Sequence, residues 1–257
     1  MPASGCDGCI ARHKGLCSAL SPDELARLSA VARRRRFAAG QTIVDDQQEL
    51  PYLANVLSGV VKLTKTLVDG REQIVELQFP ADFVGRPLGG PSGFRAEAAI
   101  NVELCTFARS RFEQVMRAVP GVERRLLQHT LDALDAARAW MVLLGRKTAA
   151  EKVASFLLIL AQRFRGAAGA GSGWVNAVRF ELPLTRGEMA DFLGLTIETV
   201  SRNMTRLRSI GVIRLQGMRT VIVPDMERLT AASECPLEHA AQEPAPRPDG
   251  MRAVCVG

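Results

Sequence analysis

Long apolar runs are missing from this sequence, and their absence sets the first limits on what the protein is. No stretch approaches the roughly 20 apolar residues that are needed to cross a bilayer. Residues 1–17 also lack the apolar core of a secretory signal peptide. We therefore expect a cytoplasmic protein with no membrane partner, in which thiols stay reduced.

The motifs of common enzymes are missing as well. The three histidines, His13, His129 and His239, do not stand near a serine or cysteine nucleophile motif. No glycine-rich loop of the kind that cradles phosphates is present. The sequence therefore predicts that the protein is not an enzyme.

The length and charge of the chain admit other kinds of function. Its 257 residues are enough for two modest domains, each with its own core. The net charge is +6, from 33 Lys and Arg residues against 27 Asp and Glu residues. This mild excess of positive charge is compatible with a polyanionic partner such as DNA.

Cysteines are unevenly distributed. Three of the six lie in the first 17 residues, as Cys6, Cys9 and Cys17, and the others are Cys105, Cys235 and Cys255. In a reducing compartment, clustered cysteines bind metal more often than they form disulfides. The first three are therefore candidate metal ligands, whereas Cys235 and Cys255 fall near the C-terminus and are not predicted to be ligands.

The residues alone leave two ligand sets open. Cys6, Cys9, His13 and Cys17 form a Cys3His set within twelve residues, which suits a tetrahedral structural zinc ion. Cys6, Cys9, Cys17 and Cys105 instead supply the four thiolates that usually hold a 4Fe–4S cluster. A zinc site would be structural, because zinc has no redox chemistry, whereas an iron–sulfur cluster is redox-active.

Residues 37–107 carry short, β-branched and often alternating segments that turns separate. This pattern predicts an antiparallel sandwich or a barrel-like roll. Upstream, Ser21–Glu24 is a capping box that opens a helix to about Ala32, and we interpret Arg33–Arg36 as the solvated C-terminal end of that helix. The clearest strand candidates are Gln41–Val44, Tyr52–Leu57, Val60–Lys65, Gln73–Leu77 and Ile100–Cys105.

A long helix is predicted from Val122 to about Leu144, since this stretch contains neither proline nor glycine. Apolar or small residues recur in it at alternating spacings of three and four. Such a seam is typical of two parallel helices that pack on each other, although the stripe of a simple core helix looks similar. The predicted seam consists of Leu127, Thr130, Leu134, Ala137, Met141 and Leu144.

The stretch Leu184–Gly211 contains two short amphipathic helical patterns that meet at Gly194-Leu195-Thr196. The second pattern places Glu198, Ser201 and Arg202 on one face near its N-terminal end, which is the end that enters the major groove in helix-turn-helix proteins. An arginine can donate two hydrogen bonds to guanine, and a glutamate can accept one from cytosine. Residues 212–223 follow as a predicted β-hairpin, or wing.

These patterns together predict an α+β fold. Its parts are an N-terminal double-stranded β-roll, a long dimerisation helix and a C-terminal winged helix-turn-helix. We assign residues 1–20 to a cysteine-rich cluster-binding segment, 21–118 to the β-roll sensor domain, 119–147 to the dimerisation helix, 148–232 to the DNA-binding domain and 233–257 to a disordered tail.

The helix-turn-helix segment LTRGEMADFLGLTIETVSRNMTRLRSIGVI resembles that of the Crp/Fnr superfamily of transcription regulators. The spacing of Glu198, Ser201 and Arg202 is similar to that of the Fnr branch. The resemblance implies that the protein is a homodimer. It also implies that these residues recognise an inverted repeat of the TTGAT-N4-ATCAA type in double-stranded DNA. The resemblance also implies that residues 67–71 contact RNA polymerase.

The same resemblance implies what the β-roll senses. Cys105 lies where the distant fourth cluster ligand of the Fnr branch falls, and the gap between Cys9 and Cys17 is similar to that of the alphaproteobacterial type. We therefore expect a 4Fe–4S cluster that promotes dimerisation and DNA binding. The regulator is expected to control genes of anaerobic or microaerobic respiration. The alternative is a zinc-stabilised or cluster-free regulator of the same family that does not sense oxygen.

Three sites depart from family patterns. At the sites where cyclic nucleotide binders carry a Gly-Glu pair and an Arg-Ser or Arg-Thr pair, this chain has Gly85-Arg86 and Glu97-Ala98. A glutamate at the phosphate position would repel the ligand, so we expect no cyclic nucleotide.

Ala137 stands where Fnr-type sensors carry an acidic residue that keeps the cluster-free form monomeric. Unless Asp132 or Asp135 supplies that repulsion, we expect readier dimerisation without the cluster.

Overall fold

The computed structural model describes Cys6, residues 8–165 and residues 177–234. The chain divides into two compact units at residue 138. The predicted tail from residue 235 onwards, with Cys235 and Cys255, lies outside the described residues. Among the described residues, no helix combines the length and the apolar character that a membrane crossing requires.

The first unit is built on two four-stranded sheets, in which every strand pairing is antiparallel. One sheet has the order β1-β8-β3-β6 and the other has the order β2-β7-β4-β5. This arrangement confirms the predicted roll. The strands are β1 Arg33–Phe37, β2 Thr42–Val44, β3 Tyr52–Ser58, β4 Val61–Thr66, β5 Glu72–Gln78, β6 Phe83–Val84, β7 Arg95–Ala98 and β8 Val102–Ala108.

Alternate residues of the first sheet face two different cores. Ala54 and Leu104 are buried between the two sheets. Leu53 and Phe107 lie an odd number of residues from Ala54 and Leu104 along their strands, so they face the other side of the sheet. Short helices cover that outer side, because their apolar faces need a partner to bury against. They are α1 Ile10–His13, a single 3-10 turn at Leu16–Ala19, α2 Pro22–Val31 and α3 Arg109–Ala118.

The arginine run is not the end of a helix, and that prediction is wrong. Helix α2 ends at Val31, and Arg33–Phe37 is strand β1 at the edge of the first sheet. Its residues pair in register with β8, with Arg34 opposite Cys105. All four arginines are exposed, as predicted. An edge strand has one neighbour and solvent on its other side, so it accommodates charged side chains.

The long helix α4 runs from Pro120 to Arg146. It begins two residues earlier than predicted, because proline is well tolerated in the first turn, where its missing N–H is not needed. The middle of α4 is exposed in the single chain. The exposed fractions of Leu127 and Met141 are 59% and 72%.

The second unit contains α5 Ala149–Arg165, followed by α6 Arg186–Leu193 and α7 Ile197–Ser209. Strands β10 Arg214–Gln216 and β11 Thr220–Val223 form the predicted wing, and β11 also pairs with β9 Val178–Glu181. Helix α8, Met226–Glu234, ends the described chain. The winged helix-turn-helix is thus confirmed, whereas β9 and α8 did not figure in the sequence analysis.

Candidate functional site

The helix pair α6 and α7 is fixed by local hydrogen bonds. Thr185 caps α6 in a reciprocal box: its hydroxyl accepts from the Glu188 backbone N–H at 3.2 Å, and its own backbone N–H donates to the Glu188 carboxylate at 2.7 Å. Gly194 ends α6 in the left-handed conformation with φ of 61°. A residue with a Cβ atom is strained there, so glycine permits the tight turn into α7.

Helix α7 separates a buried face from an exposed one. Its N-cap Thr196 accepts a hydrogen bond from the Thr199 backbone N–H at 3.2 Å. Glu198 and Arg202 are exposed near the N-terminal end, and Ser201 between them is half-buried. The three predicted reading residues therefore share one accessible surface. The buried face consists of Val200, Asn203, Met204 and Leu207.

The charges on α7 suit contact with DNA. The pKa of the Glu198 carboxyl is lowered by a backbone hydrogen bond, by the Thr196 side chain and by nearby Arg202. Glu198 is therefore an ionised acceptor at neutral pH, beside a guanidinium donor. Arg206 and Arg208 extend the exposed positive charge towards the C-terminal end of the helix. Such arginines can bind phosphates, which position a protein without specifying sequence.

The wing adds two cations that the sequence analysis missed. Arg214 on β10 and Arg219 in the turn before β11 are both exposed. Arg214 stands between Ile213 and Leu215 in the predicted hairpin, and this alternation was the available signal for Arg214. In winged proteins, such residues are placed to contact the phosphate backbone beside the reading helix.

The four predicted cysteine ligands line a single cavity of about 30 Å³. Cys9 precedes α1, Cys17 lies in the 3-10 turn, and Cys105 comes from β8 on the sheet beneath them. Cys6 is half-buried beside them. The fold thus brings together thiols that lie up to 99 residues apart in the chain, from Cys6 to Cys105. Apolar side chains such as Leu28 and Phe107 form other parts of the wall.

Burial keeps two of these thiols protonated in the absence of a metal. Burial, together with the neighbouring Cys105, Cys9 and Cys6 thiols, raises the pKa of Cys17 to about 12, against a smaller lowering effect of the hydrogen bond from Asn55. The pKa of Cys105 is also raised to about 12, again mainly by burial. Metal ligation requires thiolates, so binding must release protons while the metal charge replaces them.

The donor set fits a four-thiolate cluster better than the alternative Cys3His site. His13 is exposed and does not line the cavity, whereas Cys105 does. Within the described ranges, no three His, Cys, Asp or Glu side chains converge closely enough to hold one metal ion. Thiolates on a cluster bind separate irons and can lie farther apart than those around one zinc.

The cysteine segment also contacts the long helix. Val122 of α4 is buried in the same apolar cluster as Cys17, and Leu126 packs against that cluster. The Arg125 guanidinium donates a hydrogen bond to the backbone oxygen of Lys14 at 3.0 Å. Lys14 lies between Cys9 and Cys17, so the loop that carries the cysteines is attached to the start of α4.

The predicted seam lies on the exposed face of α4. Of its six residues, all but the half-buried Leu144 are exposed, and Leu131 adds a further exposed apolar side chain beside them. The carboxylate of Asp135 forms an ion pair with Arg138 at 3.0 Å. Asp132 accepts a hydrogen bond from Gln128 at 2.8 Å.

Glu97, at the position compared with cyclic nucleotide binders, is engaged in ion pairs. Its carboxylate contacts Lys62 Nζ at 2.8 Å and Arg95 Nη2 at 3.1 Å. Arg86 donates to the backbone oxygen of Pro91 at 3.4 Å. The expectation that no cyclic nucleotide binds stays a prediction.

This chain is similar to known proteins in both of its units. Residues 151–232 match the Crp-like helix-turn-helix domain, and residues 34–118 match the cyclic nucleotide-binding domain. A probable transcriptional activator of Rhizobium leguminosarum bv. viciae is 48% identical, over 87% of this chain and 91% of that protein. The transcriptional activator protein FnrL of Cereibacter sphaeroides is 46% identical, over 87% of this chain and 90% of its own. The chain belongs to the Crp/Fnr family of transcription regulators.

The structure of FixK2 from Bradyrhizobium japonicum supports the same placement. It superposes on this Crp/Fnr chain with a TM-score of 0.70, at 33% identity, and the match covers 80% of this chain and 98% of FixK2. The chain is a DNA-binding transcriptional activator of the Fnr/FixK type and not an enzyme. The predictions of fold, family and non-enzymatic character are confirmed.

Proposed function

We propose that this Crp/Fnr regulator is a homodimeric oxygen sensor that holds a 4Fe–4S cluster and binds DNA when the cluster is present. The convergence of Cys6, Cys9, Cys17 and Cys105 on one cavity is the observation that carries the proposal. Cytosolic clusters are held by such sets of four thiolates. The genes controlled are expected to be those of anaerobic or microaerobic respiration.

The chain supplies the proposed ligands from a strand and from short turns. Cys105 lies in a central strand, whereas Cys6, Cys9 and Cys17 lie in or beside short turns whose backbone hydrogen bonds are local in sequence. When bound, the cluster would supply oxygen-sensitive redox chemistry at this cavity. Without it, the short turns would be ordered only by their apolar contacts and hydrogen bonds.

The contacts with α4 provide a path from the cysteines to dimerisation. Arg125 and Val122 attach the first turns of α4 to the cysteine loop, on the same helix as the seam. Disorder of that loop would remove the Lys14 acceptor and part of the apolar support. An order–disorder change of a segment beside an interface is a common switching device.

The dimer is expected to form through the exposed seam of α4. Apolar residues exposed at alternating spacings of three and four are suited to a parallel helix pair. Because Arg138 pairs with Asp135 within one chain, this carboxylate contributes little repulsion across a dimer. Ala137 adds no charge, so, unless Asp132 supplies the repulsion, the cluster-free form should dimerise more readily than in sensors that carry an acidic residue there.

In the dimer, two copies of α7 would read the two halves of an inverted repeat of the TTGAT-N4-ATCAA type. Arg202 would donate to guanine and Glu198 would accept from cytosine, with Ser201 as a permissive contact. Activation would use the turn at residues 67–71 as a contact with RNA polymerase. Leu67 and Val68 are exposed there, and Arg71 pairs with Asp69 at 2.8 Å, which shapes the turn.

Metal analysis of anaerobically purified protein tests the cluster. We expect brown protein with about four irons and four sulfides per chain. Cys105→Ser should lose both, whereas Cys255→Ser, outside the proposed ligand set, should retain them. Colourless protein with one zinc that survives Cys105→Ser would contradict the proposal and favour the zinc-stabilised alternative. Protein without metal would favour a cluster-free regulator.

A further inference from the structure

Asn55 is a fully buried polar residue in the wall of the cysteine cavity. It is 1% exposed and lies in the middle of β3, where its neighbours Ala54 and Val56 face the core between the sheets. Asn55 faces the opposite side, towards the cysteines. A buried amide is costly unless its hydrogen-bonding groups are used. An apolar residue would serve this strand better if packing were its only task.

The side chain of Asn55 donates a hydrogen bond to one of the four thiols. Its amide Nδ2 donates to the Cys17 sulfur at 3.6 Å, within the range for a sulfur acceptor. In the strand register, Asn55 lies directly opposite Cys105. Its Oδ1 atom accepts no hydrogen bond from any described residue. Of the two polar atoms of this side chain, only Nδ2 is therefore hydrogen-bonded to a described residue, and its acceptor is the sulfur of a proposed ligand.

We propose that Asn55 is a positioning residue for the cluster, and that its amide N–H donates to the Cys17 thiolate and sets how readily the cluster loses an electron. This inference rests on the proposed function. A hydrogen bond to a ligand sulfur stabilises negative charge, and the reduced form of the cluster carries one more negative charge than the oxidised form. Asn55 therefore raises the reduction potential and slows oxidation.

The variant Asn55→Leu separates this role from simple packing. Leucine is close to asparagine in shape and fills the same space without a donor. Ser29→Ala is the matched control, because Ser29 is also buried in the cavity wall. Its hydroxyl donates to the Ala26 backbone oxygen at 2.9 Å, within its own helix, and not to a cysteine.

The test is an anaerobic redox titration of the full-length protein, followed by the decay of visible absorbance in air. We expect Asn55→Leu to retain its iron while its potential falls by about 59 mV, which is tenfold in the equilibrium of a one-electron couple. Its absorbance should decay several-fold faster than that of the wild-type protein. Ser29→Ala should match the wild-type protein in both measurements.

Three outcomes are decisive. If Asn55→Leu retains the wild-type potential and lifetime, the inference is wrong while the proposed function stands. If Asn55→Leu takes up no iron, Asn55→Ser and Asn55→Ala are compared, since only serine keeps a donor. Equal reduction potentials in these two variants overturn the inference. A higher reduction potential in Asn55→Ser than in Asn55→Ala supports it. If the wild-type protein assembles no cluster, the proposed function fails and the inference falls with it.

Discussion

The reading helix and the cysteine cavity are built in opposite ways. The α6–α7 segment is determined by residues close together in sequence, such as the Thr185–Glu188 box, the Thr196 cap and the turn at Gly194. The cavity instead depends on contacts between residues far apart, such as Asn55 with Cys17 and Arg125 with Lys14. A local site tolerates distant change, whereas a site assembled from several elements depends on all of them.

The largest effect is expected from Phe107→Ala, which breaks the cavity without touching a ligand. Phe107 is buried beside Phe112, with ring centroids 6.3 Å apart, and lines the cavity. Removing a buried phenylalanine costs about 3–5 kcal/mol in the free energy of unfolding. Hydrogen exchange should show this loss in β3 and β8 and leave α6 and α7 unchanged.

The matched control for this change is Phe94→Ala. Phe94 lies in the same unit but is 39% exposed, so its removal should cost much less. Equal losses for the two variants, or equal loosening of α6 and α7 in Phe107→Ala, would contradict the contrast between a local and an assembled site.

This contrast also explains what the sequence could predict. Helical spacing identifies α6 and α7 within one short window, so the exposed face that is proposed to read DNA could be predicted from sequence alone. The three N-terminal cysteines were conspicuous, but Asn55 was not, because its role depends on the register of β3 against β8. Strand β1 was missed since four arginines have no strand-like pattern, and only pairing with β8 makes them a strand. The Val178–Glu181 alternation of buried and exposed residues could have revealed β9.

A smaller and more specific effect is expected from Arg202→Ala, which sharpens the local side of the comparison. The arginine is exposed on α7, so its loss should leave the fold intact. Loss of a bidentate guanine contact costs about 1–3 kcal/mol at the cognate base pair. Binding to operators with and without that base pair, at fixed salt, measures the effect.

Arg208→Ala is the control on the same helix. It should weaken binding to all sequences similarly and reduce the salt dependence, as expected of a phosphate contact. If Arg202→Ala also weakens all sequences equally, Arg202 is a phosphate contact and the assignment of the reading face is wrong.

The smallest effect is expected from Ala137→Asp, which tests the helix that carries both the seam and the contacts with the cysteine loop. Two aspartates brought together in the seam of a parallel helix pair repel each other, and at a partly exposed interface this costs about 1 kcal/mol. The cluster-free protein should therefore dissociate more readily, and less so at high salt, where charges are screened. Sedimentation as a function of protein concentration measures the equilibrium.

Ala136→Asp adds the same charge at an exposed position outside the seam and should leave dimerisation unchanged. Equal weakening by both variants would show that total charge, and not the seam, governs association.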